Sequence, residues 1–179
     1  MDDFLDQLAA ATPVPGGGSA ACYAAALAVA LGEMVVGLGA KKQGIDAPLR
    51  VTLTDHRRWF QAAAAQDAES FLAVLAAYRL PKDDASRKQA IAEALHQAAR
   101  SPLRMMGRMV EAKADLVASR DLCPKSALSD WRAGLVLLDA AFAVAEENVR
   151  VNLDGASGRR ELEESLDQVQ RAYSQLGDG

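Results

Sequence analysis

Three groups of residues in this 179-residue chain carry types and spacings from which chemistry can be built. The first is TPVPGGGS, residues 12 to 19, in which Gly16, Gly17, Gly18 and Ser19 open a long apolar segment. Successive glycines cost backbone entropy and serve where unusual dihedrals or very close approach are required. At a helix start, the amides of Gly17, Gly18 and Ser19 can hold a carboxylate or another polar group with the help of the helix dipole. The same glycines can equally turn the chain tightly and let Ala20, Ala21 and Ala24 pack on a neighbour. The segment is neither a dinucleotide fingerprint nor a P-loop, since no strand precedes it and neither spacing is met.

The second group centres on Asp67, which shares a helical face with Phe71, Val74 and Tyr78 and so places an acid among groups expected to point inward. Burial raises a carboxyl pKa and can make the group a usable acid or base near neutral pH. Pairing with a Lys or Arg of another helix is the alternative. The third group lies on one later segment: Ser129 and Asp130 near its start, and Asn148, Arg150 and Asn152 near its end. Ser129 and Asp130 also suit an ordinary helix N-terminus. At 1.5 Å per residue, Asp130 and Asn148 stand about 27 Å apart, too far for one small catalytic centre. An elongated ligand or a second subunit must connect them, or they have separate structural tasks.

Other reactive types offer less. His56 and His96 share no metal-ligand spacing with acidic neighbours and read as surface or capping histidines; no metal is expected. Ser19 and Ser129 have no histidine nearby in sequence, so a nucleophilic triad is not supported. Lys41 and Lys42 follow the apolar segment as a solvated helix end. Cys22 and Cys123 fit neither a disulfide framework nor a zinc spacing and are expected as reduced thiols.

The elements that must position these groups are helices. A short amphipathic helix over 3–10 precedes the glycine turn, and Ser19 to Leu38 is nearly all Ala, Val, Leu and Gly, with Glu33 its one charge. Residues 41–48 read as a loop. A second long helix runs from about Leu49 to Tyr78, where Pro81 forbids continuation. A third extends from beyond Lys82 to about Ser119, with Pro102 expected to kink or divide it. After DLCPKS, residues 121 to 126, a fourth spans Ala127 to Leu153, and a charged helix closes the chain from about Arg159 to Leu176. The expectation is a single all-α domain over 1–179: an antiparallel bundle of four to five long helices joined by short loops.

Composition limits the partners. Half of the residues are apolar and only 5% aromatic, a balance suited to close helix packing. A net charge of −4 with dispersed Lys and Arg argues against nucleic acid. The apolar segment is long enough to span a membrane. Its Ala and Gly content and Glu33 argue instead for the centre of a bundle or an oligomer, with no membrane partner. MDDFLDQL, with three acids and no basic region, does not read as an export signal, so a soluble cytoplasmic protein is expected.

Taken in order, TPVPGGGSAA, DAESF, AYRLPK, ALSD and NVRVNL, spread over residues 12 to 153, resemble the cyclodeaminase/cyclohydrolase family. That family includes the cyclodeaminase domain of formiminotransferase-cyclodeaminase and stand-alone methenyltetrahydrofolate cyclohydrolases. The resemblance implies a helical obligate homodimer, a tetrahydrofolate one-carbon substrate and no tightly bound cofactor. It implies that Asp67, at the family's acidic position, is the acid/base, with Lys82 positioning substrate or stabilising charge. It further implies that the GGGS amides, with Gly16, and the Ser129–Asp130 pair hold the pterin or the linker. Lys41, Lys42 or Arg150 would then meet glutamate carboxylates, and Asn148 and Asn152 would contact substrate.

The cyclohydrolase reaction is favoured over the deaminase, which would need a separate formiminotransferase to supply its substrate. Two departures stand out: Cys123 and Pro124 replace a usual Gly-Asn pair, and Gly44 replaces an aromatic residue. Either could alter substrate preference or leave an inactive folate-binding or structural dimer of the same fold.

Overall fold

A computed structural model describes residues 2–45 and 47–177, and among them the regular structure is entirely helical. The described residues form six α-helices: α1 (Asp2–Ala9), α2 (Gly17–Gln43), α3 (Pro48–Tyr78), α4 (Arg87–Ala118), α5 (Leu128–Leu153) and α6 (Arg159–Ser174). Two short 3-10 turns, Ser119–Leu122 and Lys125–Ala127, join α4 to α5. The expected helices are therefore present, with two adjustments. Lys41 and Lys42 belong to the last turn of α2 rather than to a loop, and Pro102 leaves α4 continuous as one 32-residue helix. Pro102 is buried in the core with Met105, Met106 and Met109, and this packing holds the helix through the missing hydrogen bond.

The Ala-rich α2 is the centre of the packing. It contacts α3 on one side and α5 on the other, and α4 closes the group by contacting both α3 and α5. Residue numbers rise on one helix as they fall on its neighbour: Gly17 lies beside Asn148 and Gly134 beside Ala28, while Ser19 meets Ala64 and Glu33 meets Arg57. Small residues permit the approach. A Cβ on Gly134 would come within 3.0 Å of the Ala28 carbonyl oxygen, and Cβ atoms on Gly32 and Gly39 would overlap Leu116 and the Leu122 backbone.

Burial explains why the helix is apolar on nearly every side. Cys22, Val29, Val35 and Val36 are fully buried, and Glu33 is half-buried against Arg57 with 2.8 Å between Oε2 and Nε. The guanidinium hydrogen bond holds the Glu33 carboxyl below the usual carboxylate range. Leu27, Met34 and Leu38 remain 41–46% exposed on the outer face.

The end of α2 and the start of α3 each have a local cause. Gly44 stands in the left-handed region at φ 67° and sends its amide to the Ala40 carbonyl, the termination glycine provides most easily. Pro48, at the first turn of α3, prevents any continuation from the preceding segment.

α6 docks chiefly on α4 through Leu162, Leu166 and Tyr173. The Tyr173 ring stacks on Phe142 at 3.8 Å between centroids, and its hydroxyl donates to Asp139 at 2.7 Å. Buried Lys113 of α4 reaches the same carboxylate at 3.0 Å and lies over the Tyr173 ring.

Of the two histidines expected as surface or capping residues, His56 departs from that reading. His56 is 2% exposed, with Nε2 2.9 Å from Asp115 of α4. His96 is half-buried and ties α4 to the Ser157 carbonyl through Nδ1 at 2.6 Å.

Candidate active site

At the N-terminus of α2 the chain makes a small recess of about 120 Å³. Its walls come from four sources: Pro13, Val14 and Gly16 of the turn with Gly17 and Gly18 of α2, Asp67, Ser70 and Phe71 of α3, Ala98 of α4, and Asn148 and Asn152 of α5. Residues more than a hundred positions apart meet here because α3 and α5 both run opposite to α2 and flank its first turn.

Asp67 is the chemical centre. Its carboxylate accepts from the backbone amide of Ser19 and lies 3.2 Å from the Ser19 hydroxyl. The first four amides of a helix have no intrahelical partner, and Gly16, the cap residue, offers no side chain. Asp67 therefore caps α2 from a neighbouring helix. Gly18 makes this possible, since a Cβ there would occupy the volume of the Asp67 carboxyl group. Burial pushes the Asp67 pKa above the usual carboxylate value, and the two Ser19 hydrogen bonds oppose that rise without cancelling it. A raised, half-buried carboxyl at a helix N-terminus is suited to take and return a proton.

Around it, donors and acceptors are distributed unevenly. The amides of Gly17 and Gly18 stand at the positive end of α2, beside the recess. Asn148 Nδ2 donates to the Val144 carbonyl at 2.8 Å and Asn152 Nδ2 to the Asn148 carbonyl at 2.7 Å. Both amides are thus anchored to their own helix, with their oxygens available as acceptors. Ala98 adds a backbone feature: Pro102 has no N–H to donate to its carbonyl, the partner four residues earlier. Phe71, 41% exposed, supplies an aromatic edge.

The expected site residues divide into two sets. Gly16, Gly17, Gly18, Asp67, Asn148 and Asn152 come together. Ser19 is 1% exposed and turns inward to Asp67 and the Ala64 carbonyl, 3.0 Å away, rather than lining the recess. Lys82 sits exposed in the turn after α3, outside the recess lining; fifteen residues separate it from Asp67, and the eleven helical ones alone rise about 16 Å. Arg150 is turned away, because two residues from Asn148 is about 200° around a helix. It binds Glu146 through Nε and Nη2 at 2.9 and 2.7 Å and borders a different cleft with Asp154, Arg159 and Asp167.

Ser129 and Asp130, in the first turn of α5, and Lys41 and Lys42, in the last turn of α2, lie at the opposite end of the bundle. Gly17 and Lys41 are about 36 Å apart along α2. Lys41 there borders an open cleft of about 800 Å³ with Arg50, Thr54 and Glu33.

The two departures also sit at that far end. Gly44 caps α2, and Cys123, whose thiol burial pushes upward, lies within electrostatic reach of Arg120 and Asp130. Ser70 and Ala98 line the recess although sequence reasoning named neither, and Phe71, which spacing placed on the face of Asp67, was read as pointing inward rather than as bordering an opening. Ser70 follows Asp67 by three residues, so helical spacing from the acid could have found it as well. Nothing in the sequence signals Ala98. Among the described residues no three His, Cys, Asp or Glu side chains cluster with metal-binding geometry.

The fold and recess define a helical protein in which the half-buried carboxyl group of Asp67 borders a polar recess at the start of α2. The chain belongs to the formiminotransferase-cyclodeaminase family, whose description matches residues 1–171. It is 34% identical to methenyltetrahydrofolate cyclohydrolase of Methylorubrum extorquens over 189 aligned positions, covering 99% of this chain and 90% of that protein. It is 32% identical to formimidoyltransferase-cyclodeaminase of Rattus norvegicus over 84% of its own length, spanning 30% of the rat protein. The crystal structure of formiminotetrahydrofolate cyclodeaminase from Thermotoga maritima superposes with a TM-score of 0.87 at 26% identity, covering 98% of this chain and 90% of that one.

Proposed function

We propose that the chain is a folate one-carbon enzyme that hydrolyses 5,10-methenyltetrahydrofolate, with Asp67 as its acid/base group. The observation that carries the reading is the half-buried Asp67 carboxyl, held by Ser19 at the positive end of α2 and opening into the recess. The nearly end-to-end match to a cyclohydrolase supports that choice of substrate.

In the ionised state Asp67 faces the cationic N5–CH–N10 bridge and takes a proton from the water that adds to the bridge carbon. The resulting neutral tetrahedral adduct then opens. Protonated Asp67 returns its proton to the ring nitrogen whose C–N bond breaks, while the adduct hydroxyl loses its proton to solvent and becomes the formyl carbonyl. One proton is released overall. A carboxylate also favours the cationic substrate over the neutral product. The cyclodeaminase reaction, in which N10 attacks a formimino carbon and ammonia leaves, uses the same tetrahedral geometry. It is favoured by the likeness to the Thermotoga maritima structure.

The Asn148 and Asn152 oxygens and the Gly17 and Gly18 amides suit the donor and acceptor edge of a pterin, and Phe71 suits an aromatic ring. No tightly bound cofactor enters this scheme, and a cytoplasmic site of action fits a soluble folate. Ligand pockets usually measure about 300–1,000 Å³, so a recess of 120 Å³ encloses only the reacting part of a folate.

A homodimer completes the proposal. Ala20, Ala24, Leu27, Leu31, Met34 and Leu38 alternate by four and three residues on one side of α2, the spacing of a helix–helix seam. Leu27, Met34 and Leu38 are 44%, 41% and 46% exposed within one chain, which supports a second copy against this face of the antiparallel bundle. Lys41, Lys42, Arg50, Ser129 and Asp130 then remain candidates for the glutamate tail or linker only if a partner brings that end of the bundle near Asp67.

The test follows methenyltetrahydrofolate by its absorbance and formiminotetrahydrofolate by ammonia release, with purified protein. Acceleration of methenyl loss over the buffer rate is expected. Ammonia release without methenyl loss would select the deaminase instead, and the absence of both activities would overturn the enzyme reading.

A further inference from the structure

We propose that Ser19 is a positioning residue for Asp67, its hydroxyl turning between the carboxyl group and the Ala64 carbonyl so that both protonation states of the acid stay hydrogen-bonded. The inference rests on the acid/base reading of Asp67 and deepens it. Ser19 is 1% exposed, and its Oγ lies 3.0 Å from the Ala64 oxygen and 3.2 Å from Asp67 Oδ2. A serine hydroxyl has one hydrogen and two acceptor lone pairs, so it cannot donate to both oxygens at once.

Two arrangements satisfy every group. With Asp67 ionised, the hydroxyl hydrogen points at the carboxylate, which also receives the Ser19 amide. With Asp67 protonated, the carboxylic O–H donates to Ser19 Oγ, whose own hydrogen turns to the Ala64 carbonyl. No heavy atom has to move. A buried polar group left without a partner costs about 1–3 kcal/mol, so a fixed donor would favour one protonation state and slow return from the other. The rotating hydroxyl removes that bias during a cycle in which the carboxyl group gains and then loses one proton.

The surroundings leave Ser19 as the principal lever. On α2, Cys22 is electrostatically coupled to Asp67, but burial pushes its thiol up to about 12 and it stays neutral over the working range. The recess residues from α4 and α5 are Ala98, Asn148 and Asn152, none of which titrates. On α3 the neighbours in the recess are Ser70 and Phe71.

The test is the pH dependence of kcat/KM for methenyltetrahydrofolate hydrolysis in wild type, Ser19→Ala, Ser19→Cys and Ser19→Thr, with thermal unfolding measured alongside. Loss of the hydroxyl donor should move the limb belonging to Asp67 to higher pH and lower the neutral-pH rate about 10-fold or more. Ser19→Cys, close in volume but a weak donor, should do the same if Ser19→Ala folds poorly. Ser19→Thr, which keeps the hydroxyl, should retain the wild-type limb. A limb unmoved in whichever of the Ala and Cys variants folds would overturn the inference, even if that variant melts earlier. Asp67→Asn in the same assay separates the two claims. If it is as active as wild type, the acid/base reading falls; if it is inactive while the Ser19→Ala limb is unmoved, only the role of Ser19 falls.

Discussion

Gly18→Ala is the substitution that most sharply couples the fold to the chemistry. An added Cβ would stand 2.5 Å from the Asp67 carboxyl carbon and closer still to one of its oxygens, whereas ordinary contact begins at 3.4 Å. The carboxyl carbon must therefore retreat by at least about 0.9 Å and the nearer oxygen by more, and a displacement near 1 Å at a reacting centre costs about 100-fold in rate. On the activation barrier that is about 2.7 kcal/mol. Because the displaced group is the reacting one, the loss should fall mainly on kcat.

Stability should respond less. Alanine gains up to about 1 kcal/mol of helix propensity over glycine, while the weakened hydrogen bonds to a charged acceptor cost about 1.5–3 kcal/mol. The net loss is at most about 2 kcal/mol.

Gly107→Ala is the matched control. Gly107 lies inside α4, and a Cβ there meets nothing within 4 Å. It should raise stability by roughly 0.5–1 kcal/mol and leave turnover unchanged. Steady-state kinetics and thermal unfolding of both variants decide the matter. Gly18→Ala with wild-type kcat would refute the placement of Asp67 against the first turn of α2.

Three further outcomes are expected. Asp67→Asn should melt at a higher temperature than wild type in neutral and alkaline buffer. The native carboxyl pKa is raised above its ordinary value of 3.8, so its contribution to stability is fully present below that value and lost as pH rises through the native pKa. The gain should therefore shrink as pH falls towards 3.8, and a gain that grows in acid would contradict the burial argument. Tyr173→Phe removes the 2.7 Å hydrogen bond to Asp139 while keeping the stack on Phe142. A loss of about 1–2 kcal/mol is expected in denaturant unfolding, with the active-site rate unaltered. Met34→Lys places a charge in the outer seam of α2, 41% exposed in one chain, and should yield monomers in sedimentation; an unchanged dimer would remove α2 from the interface.

Much of this arrangement was legible before any coordinates. Continuous Ala, Val and Gly content marked α2 as the central packing helix, although its outer face is exposed within one chain, and the position of Asp67 among apolar residues marked it as an unusual acid. Asn148 and Asn152 could be joined because residues four apart share a helical face, and the same geometry should have excluded Arg150 from their company. The inward face of α3 was only partly read. Val74 is buried, but Phe71 and Tyr78 are 41% and 50% exposed, because Phe71 borders an opening and Tyr78 ends the helix.

Tertiary contacts supplied the rest. No local pattern announces that Ser19 turns inward, that His56 finds Asp115 across two helices, or that α4 tolerates Pro102. The GGG turn also had two open readings, ligand cradle and close packing. They merge at Gly18, where close packing is what admits the carboxyl group. Lys82, Ser129 and Asp130 rested on resemblance, and one chain does not gather them around Asp67.

The central claim is that Asp67 performs the proton transfers at the bridge carbon. The direct measurement is the turnover of methenyltetrahydrofolate by wild type and Asp67→Asn at equal, verified fold content. General acid/base catalysis contributes about 100- to 10,000-fold, so Asp67→Asn should lose at least 100-fold in kcat. An Asp67→Asn protein that hydrolyses the substrate as fast as wild type would contradict the account.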